Sequence, residues 1–234
     1  MTTAARQKRA HAAAIVAAAG ASAALARAGR ARLLRWGATD AEISDSQPGD
    51  DLIVNADVTA TRAITIRRSP DAVWPWIAQL GQGRGGFYSY DRLENLLGFD
   101  IHSAARVVPD WQKPEVGDEV RLAPTVGLTA VIVEPGRALV LQGSLPIARR
   151  PPFESTWAFI LSEQPDGTTR LISRERYGYK RWWAPFVVEP TQAASFVMSR
   201  KMLLGIRERA ERNSLFPSSD RPVERKELHG VGTH

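Results

Sequence analysis

The feature that most restricts the fold is a run of alternating segments between residues 118 and 180 that are joined by short turns. Pro135-Gly136 and Pro165-Asp166-Gly167 are turn signals between neighbouring segments. Short turns join antiparallel strands, because parallel strands need a crossover of a dozen residues or more. Five segments have the two-residue period of β-strands: 118–123, 128–134, 138–143, 155–163 and 168–180.

Three further elements precede this run. The β-branched segment 60–68 predicts a first strand. Ser69-Pro70-Asp71 is a helix-start signal, and it predicts a helix over 71–80 whose buried face carries Val73, Trp76, Ile77 and Leu80. A second short helix is predicted over 90–98, with Gly98 as its stop signal. Its leucines, Leu93, Leu96 and Leu97, are expected to face inward, which leaves Glu94 in solvent.

One long amphipathic helix is predicted after the strands, over 190–213. Ala194, Met198, Met202 and Ile206 recur every four residues along it. The order is therefore a strand, two small helices, an antiparallel run and a long helix. This order predicts an α+β fold in which a curved sheet wraps around the C-terminal helix.

Several stretches resemble the SRPBCC superfamily, which includes START-type lipid carriers, pollen-allergen-like proteins and polyketide cyclases/dehydrases. The resemblance covers roughly residues 36–212. Within the superfamily, the chain is most similar to a subgroup of actinobacterial members. The resemblance implies the helix-grip fold, with a cavity between the sheet and the long helix. Members of the superfamily bind apolar small molecules in this cavity, and some catalyse reactions on them. The stretches that carry it are "TRAITIRRSPDAVWPWIAQLGQGRGGFYSYDRLENLLG", "VGDEVRLAP", "VEPGRALVL" and "TRLISRERY".

The glycine-rich run 81–86 spells G-x-G-x-x-G, the pattern of a dinucleotide-binding loop. Such a loop follows a strand and opens a helix in a parallel β-α-β unit. Here a predicted helix precedes the glycines and the aromatic run "FYSY" follows them. The glycines are therefore predicted to reverse the chain between two small helices. Arg84 is either solvated or a contact for an anionic ligand group.

Aromatic and methionine side chains are candidates for the wall of a ligand cavity, although aromatic residues at this density more often belong to a plain core. The hydroxyl groups of Tyr88 and Tyr90 would orient a ligand without adding charge. The other candidates of this kind are Trp76, Trp111, Trp157, Met198 and Met202.

Charged candidates lie in two places. His102 is a possible general base, with Asp100 or Asp91 as its orienting acid. On the strand 168–180, Arg174 and Arg176 share one face with Ile172, while Glu175 and Tyr177 share the other. A buried arginine requires an acidic partner, for example Glu119 or Glu154, or an anionic ligand.

Charge and composition exclude several classes of function. Residues 1–36 hold seven basic and no acidic residues, and removing these from the 31 basic residues leaves 24 against 25 acidic ones. The domain therefore lacks the basic surface expected of a nucleic-acid binder. The chain has no cysteine, and of its four histidines only His102 lies within the predicted domain. No metal site and no cofactor are expected.

The N-terminal segment 1–36 is basic and alanine-rich, and "AAAIVAAAGASAALA" contains ten alanines in fifteen residues. It is short for a transmembrane helix, which needs about 20 apolar residues. A membrane anchor, a signal peptide, a helix on an anionic membrane surface and a solvated helix all remain open. The expected location is the cytoplasm, with possible membrane contact through this segment. The predicted domain spans 37–213, and 214–234 is predicted to be a disordered tail.

Three functions follow from this sequence. The first is binding of a hydrophobic or amphipathic, lipid- or polyketide-like molecule in the cavity. The second is a cyclase/dehydrase-like enzyme in which Tyr88, Tyr90, His102 or Arg174 polarises a carbonyl or moves a proton. The third is a membrane-tethered interaction protein. An internal cluster of polar groups would separate the second from the first. The oligomeric state is not indicated by any pattern.

Overall fold

The described part of the chain contains one antiparallel sheet in the order β1-β6-β5-β4-β3-β2. The computed structural model describes residues 24, 27–143 and 151–212. All the predicted strands are confirmed, and the Pro135-Gly136 and Pro165-Asp166-Gly167 turns join neighbouring strands. The strands are β1 (Val58–Ile66), β2 (Glu119–Ala123), β3 (Val126–Glu134), β4 (Ala138–Gly143), β5 (Phe153–Glu163) and β6 (Thr169–Tyr179).

The described residues include the helices α1 (Asp40–Ser44), α2 (Pro70–Ala78), α3 (Asp91–Leu96) and α4 (Pro185–Arg212). Residues 27–34 are also helical, and short 3₁₀ turns span Asp50–Ile53 and Pro109–Trp111. α4 starts five residues earlier than predicted, because Pro185 suits the first helical position and Pro190 is accommodated inside the helix. A long helix against an antiparallel sheet is the helix-grip arrangement, so the predicted α+β fold is confirmed.

The main core lies between the sheet and the helices α2 and α4, which also contact each other. The predicted inward face of α2 is confirmed, since Val73, Trp76, Ile77 and Leu80 are all buried. On α4, Met202 and Ile206 are buried in the same core. These contacts position α4 across the concave side of the sheet.

The predicted orientation of α3 is wrong. Leu93, Leu96 and Leu97 are exposed, Leu96 by 82%, whereas Glu94 is only 1% exposed. The reason is that hydrogen bonds at two other positions fix the rotation of this short helix. The Asp91 carboxylate accepts hydrogen bonds from the backbone and hydroxyl of Ser103. The Asn95 side chain bonds both the N–H and the C=O of Ile101.

Residues 1–23, 25, 26 and 213–234 lie outside the described residues, and so do most of the predicted N-terminal segment and the predicted C-terminal tail. Their predicted membrane contact and disorder stay predictions. Within 27–143 and 151–212, no helix combines the length and the apolar composition that crossing a bilayer requires.

Gly205 fixes the position of α4 against the loop after α2. A Cβ atom at this residue would lie 2.3 Å from the carbonyl oxygen of Tyr88 and 2.8 Å from the Tyr88 Cβ. The backbones of helix and loop therefore meet at a distance that only glycine permits.

We expect Gly205→Ala to lower the free energy of unfolding by roughly 1–3 kcal/mol through overpacking, although alanine is the better helix former. Gly29→Ala is the matched control, since Gly29 is also helical but has no atom within 4 Å of an added Cβ. Urea denaturation of both variants measures the difference. Equal stability in the two variants would contradict the close contact.

Candidate functional site

A cavity of about 490 Å³ lies between the concave face of the sheet and α4. Strands β2, β3, β5 and β6 form one wall, and α4 forms the other. The chain around α3 closes it with Phe87, Glu94 and Phe99. α4 contributes the side chains of one helical face: Val187, Val188, Thr191, Ala194, Ser195, Met198, Ser199 and Met202.

Most of the cavity wall is apolar, and Trp157 on β5 is its largest side chain. The Trp157 ring stacks on Phe87 with a centroid distance of 6.0 Å and contacts Phe159 at 4.8 Å. Its indole N–H donates to the Ser173 hydroxyl at 2.9 Å. Because this polar group has a protein partner, the ring presents apolar surface to a ligand.

Glu175 on β6 is a polar point on this wall, and its carboxylate is fully occupied by protein donors. Arg62 Nη1 on β1 donates to it at 2.5 Å. The hydroxyls of Ser195 and Ser199 on α4 bond it at 2.8–3.0 Å, and the Tyr177 hydroxyl donates at 3.1 Å. The carboxylate therefore joins the sheet to the helix where both face the cavity.

The Arg62–Glu175 pair is deeply buried, with side-chain exposures of 0% and 7%. Arg62 also donates to the carbonyl of Leu33, which ties the helical residues 27–34 to the sheet. Tyr177 lies in the same cluster, and its burial and the adjacent Glu175 charge raise the pKa of its phenol well above the ordinary value. It is therefore a neutral hydrogen-bond donor at physiological pH.

We expect Glu175→Gln to lower the free energy of unfolding by about 3–5 kcal/mol, because Arg62 would be left as a buried charge without its counter-ion. Glu119→Gln is the control, since the Glu119–Arg121 pair is more than half exposed and should contribute less than about 1 kcal/mol. Chemical denaturation measures both. A small effect at Glu175 would show that water reaches the pair.

Glu94 on α3 is the second acidic group on the wall. Neither of its carboxylate oxygens makes a hydrogen bond of good geometry, although the Ser89 hydroxyl and the Tyr90 backbone N–H lie near enough to stabilise its charge. Burial is the largest cause that raises the pKa of this carboxyl, and the Asp91 charge raises it further, whereas Ser89 and the Tyr90 backbone lower it. An acid with a raised pKa is more easily protonated in the folded state than in the unfolded state.

We expect Glu94→Gln to raise the free energy of unfolding by about 1 kcal/mol at pH 8, where the buried carboxylate is charged and unpaired. Because the folded-state pKa is raised, the wild type recovers this stability as the pH falls. The difference between the two proteins should vanish below the ordinary pKa of 4.5. Thermal unfolding from pH 4 to 8 tests this, and a pH-independent difference would contradict it.

Three of the nine residues predicted to bind a ligand line the cavity: Trp157, Met198 and Met202. The structure does not bring the other six to its wall. Trp76 is buried in the core, edge-on to Tyr88 at 5.8 Å. Trp111 is half-buried in a 3₁₀ turn.

The two predicted tyrosines lie apart from the cavity. The Tyr88 hydroxyl accepts from Gln79 Nε2 at 2.9 Å and donates to the Trp76 carbonyl at 3.1 Å. Burial raises its pKa well above the ordinary value. Tyr90 is 39% exposed at the start of α3. The weak catalytic assignment of these residues, like the ligand-binding one, gains no support from their positions.

Arg174 and Arg176 lie on the outer face of β6, and both are paired with Asp50. Arg174 makes two hydrogen bonds of 2.9 Å to the Asp50 carboxylate, and Arg176 approaches it to 3.3 Å. An internal salt bridge is therefore confirmed, but the suggested partners were wrong. Glu119 pairs with Arg121 instead, and Glu154 with Lys180.

His102 is 78% exposed, and its Nε2 lies 3.1 Å from Asp100 Oδ1. Neither residue lines the cavity. Asp91, the other proposed orienting acid, accepts hydrogen bonds from Ser103. His102 therefore has the predicted partner, Asp100, but both residues lie on the surface.

The glycine-rich loop is closed on itself. Gly81 and Gly86 exchange two backbone hydrogen bonds of 3.1 and 3.0 Å, and both have positive φ. A Cβ at Gly85 would lie 2.6 Å from the Gln79 carbonyl oxygen. Arg84 donates to the carbonyls of Ala78 and Trp111. These contacts explain the glycines by chain reversal and close packing rather than by phosphate binding.

Glu94 and Glu175 were missed as site residues. For Glu175 a signal was present, because the period-two pattern places it on the face of β6 that also carries Tyr177. For Glu94 the signal is weaker. The polar residues Asp91 and Asn95 are four positions apart, and their tertiary hydrogen bonds decide which face of α3 turns inward.

No family model matches this chain, and neither does any curated protein. Solved structures give loose matches. Protein MLL2253 from Mesorhizobium loti is 16% identical, with 66% of this chain and 98% of that chain covered and a TM-score of 0.41. Protein NE0264 from Nitrosomonas europaea is 15% identical, with 67% and 96% covered and a TM-score of 0.42.

A mutant of norcoclaurine synthase from Thalictrum, in complex with a transition-state analogue, is 14% identical, with 67% and 96% covered and a TM-score of 0.39. Similarity at this level carries no information on the ligand or the activity of this chain. Membership of the SRPBCC superfamily therefore stays a prediction.

Proposed function

We propose that this protein binds a hydrophobic or amphipathic small molecule, lipid- or polyketide-like, in the cavity between the sheet and α4. The observation that carries the proposal is the cavity itself. Its volume of about 490 Å³ lies within the range of about 300–1,000 Å³ typical of small-molecule sites. Its wall is mostly aliphatic and aromatic, with few polar groups to orient a ligand.

The form of the wall supports binding of an irregular apolar molecule. Met198 and Met202 lie one helical turn apart on α4. Methionine side chains are flexible and polarisable, so they adapt to different ligand shapes. Trp157 and Phe87 provide a rigid aromatic surface in the same cavity.

We expect Ala194→Trp to weaken binding of the neutral dye Nile red by about tenfold or more, because the indole would occupy the cavity that Ala194 lines. Ala193→Trp is the matched control. Ala193 precedes it on α4, is also exposed, and does not line the cavity. Dye fluorescence titrated with each full-length protein measures the affinities.

Equal dye affinity for Ala194→Trp and the wild type would place the dye outside the cavity and count against the proposal. Native mass spectrometry of the purified full chain provides a second measurement. A retained small molecule would appear as a discrete mass increase, and this increase should be lost in Ala194→Trp but kept in Ala193→Trp.

An enzyme that acts on a ligand in the same cavity is the second candidate, and one observation favours it. The oxygen atoms of Glu175, Tyr177 and Ser195 meet at hydrogen-bond distances on the cavity wall. However, Arg62 and three hydroxyl groups already bond the Glu175 carboxylate. This arrangement suits a fixed structural anion better than a general base. A mass change in a retained ligand during incubation would support the enzyme.

A further inference from the structure

Glu94 differs from the other acid of the cavity wall because it is buried with no cationic partner among the described residues, and only the Ser89 hydroxyl and the Tyr90 backbone N–H lie near its carboxylate. Leaving a buried charged group without partners costs more than leaving a neutral one. By contrast, the other acid on the wall, Glu175, accepts hydrogen bonds from Arg62, Tyr177, Ser195 and Ser199. Glu94 is thus a buried acid whose negative charge no described cation balances.

The position of Glu94 is imposed by its helix. Asp91 and Asn95 hold α3 against the segment around Ile101 and Ser103, and the intervening Glu94 faces the cavity as a result. The carboxylate is therefore held among apolar side chains while the leucines of the same helix remain in solvent.

The charges around the cavity favour one kind of ligand. Among the described residues that line it, two are acidic and none is Lys, Arg or His. Arg62 compensates Glu175 from behind the wall, whereas Asp91 adds a further negative charge near Glu94. Arg209, whose charge also interacts with Asp91, lies over the Tyr88 ring and donates to the Ala104 and Gly205 carbonyls. A carboxylate ligand would meet uncompensated negative charge.

We propose that Glu94 is the recognition group for a basic amine, and that the ligand is an apolar molecule with one ammonium group. The inference rests on the proposed binding function and specifies its ligand class. An ammonium provides the positive charge that Glu94 lacks, together with N–H donors that form stronger hydrogen bonds to a carboxylate than neutral groups do. The apolar body of the ligand then packs against Trp157, Met198 and Met202.

Three probes of equal chain length test this inference: octylamine, octanol and octanoate. Each is titrated against the full-length wild type and Glu94→Gln, with displacement of Nile red as the readout. We expect the wild type to bind octylamine about tenfold or more tighter than octanol, the factor contributed by a charge-assisted hydrogen bond. Octanoate should bind more weakly than octanol.

Glu94→Gln should reduce the affinity for octylamine by about tenfold and leave that for octanol within roughly threefold. Glu163→Gln is the control, because Glu163 is an exposed acid at the end of β5 and does not line the cavity. It should bind all three probes as the wild type does. Loss of octylamine affinity in both variants would show a general charge effect and overturn the inference.

The outcomes separate the inference from the function on which it rests. If octanol binds but octylamine has no advantage, the assignment of Glu94 fails and the apolar cavity still binds its ligand. If no probe displaces Nile red, and Ala194→Trp binds the dye as the wild type does, the proposed binding function itself fails.

Discussion

The carboxylate of Glu175 is the point through which sheet and helix are joined. Arg62 reaches it from β1, and Ser195 and Ser199 reach it from α4. Burying an ion pair this deeply is costly unless further hydrogen bonds surround it, and here those bonds are made to the carboxylate. The serines of the helix thus complete a charge pair that belongs to the sheet. The remaining space between sheet and helix, where such contacts are absent, is the cavity.

Two acids on one wall therefore have opposite roles. Glu175 is satisfied by the protein and holds the fold together. Glu94 is buried without a cationic partner among the described residues, and its charge is expected to lower stability, a cost that is common at binding sites. The same reasoning argues against a ligand-binding role for Arg174 and Arg176 on β6, because both already form ion pairs with Asp50.

The sequence was sufficient for the elements that depend on local patterns. Strand periods, the two turns and the apolar face of α2 were predicted correctly, since each depends on neighbouring residues. The orientation of α3 was not, because six residues make too short a helix for its leucines to determine which side is buried. Hydrogen bonds from Asp91 and Asn95 to a later loop determine it instead. Similarly, Asp50 lies 124 residues before Arg174, and no periodic pattern identifies such a partner.

β6 carries a charged cluster on each of its faces, with Arg174 directed toward Asp50 and Glu175 directed toward Arg62. Shifting this strand by one residue would exchange the faces of all its side chains. It would place Arg174 in the apolar cavity and move Glu175 away from its only cationic partner among the described residues. The two ion pairs therefore discriminate strongly against misaligned pairing of the central strands during folding, a selectivity that aliphatic side chains alone would not provide.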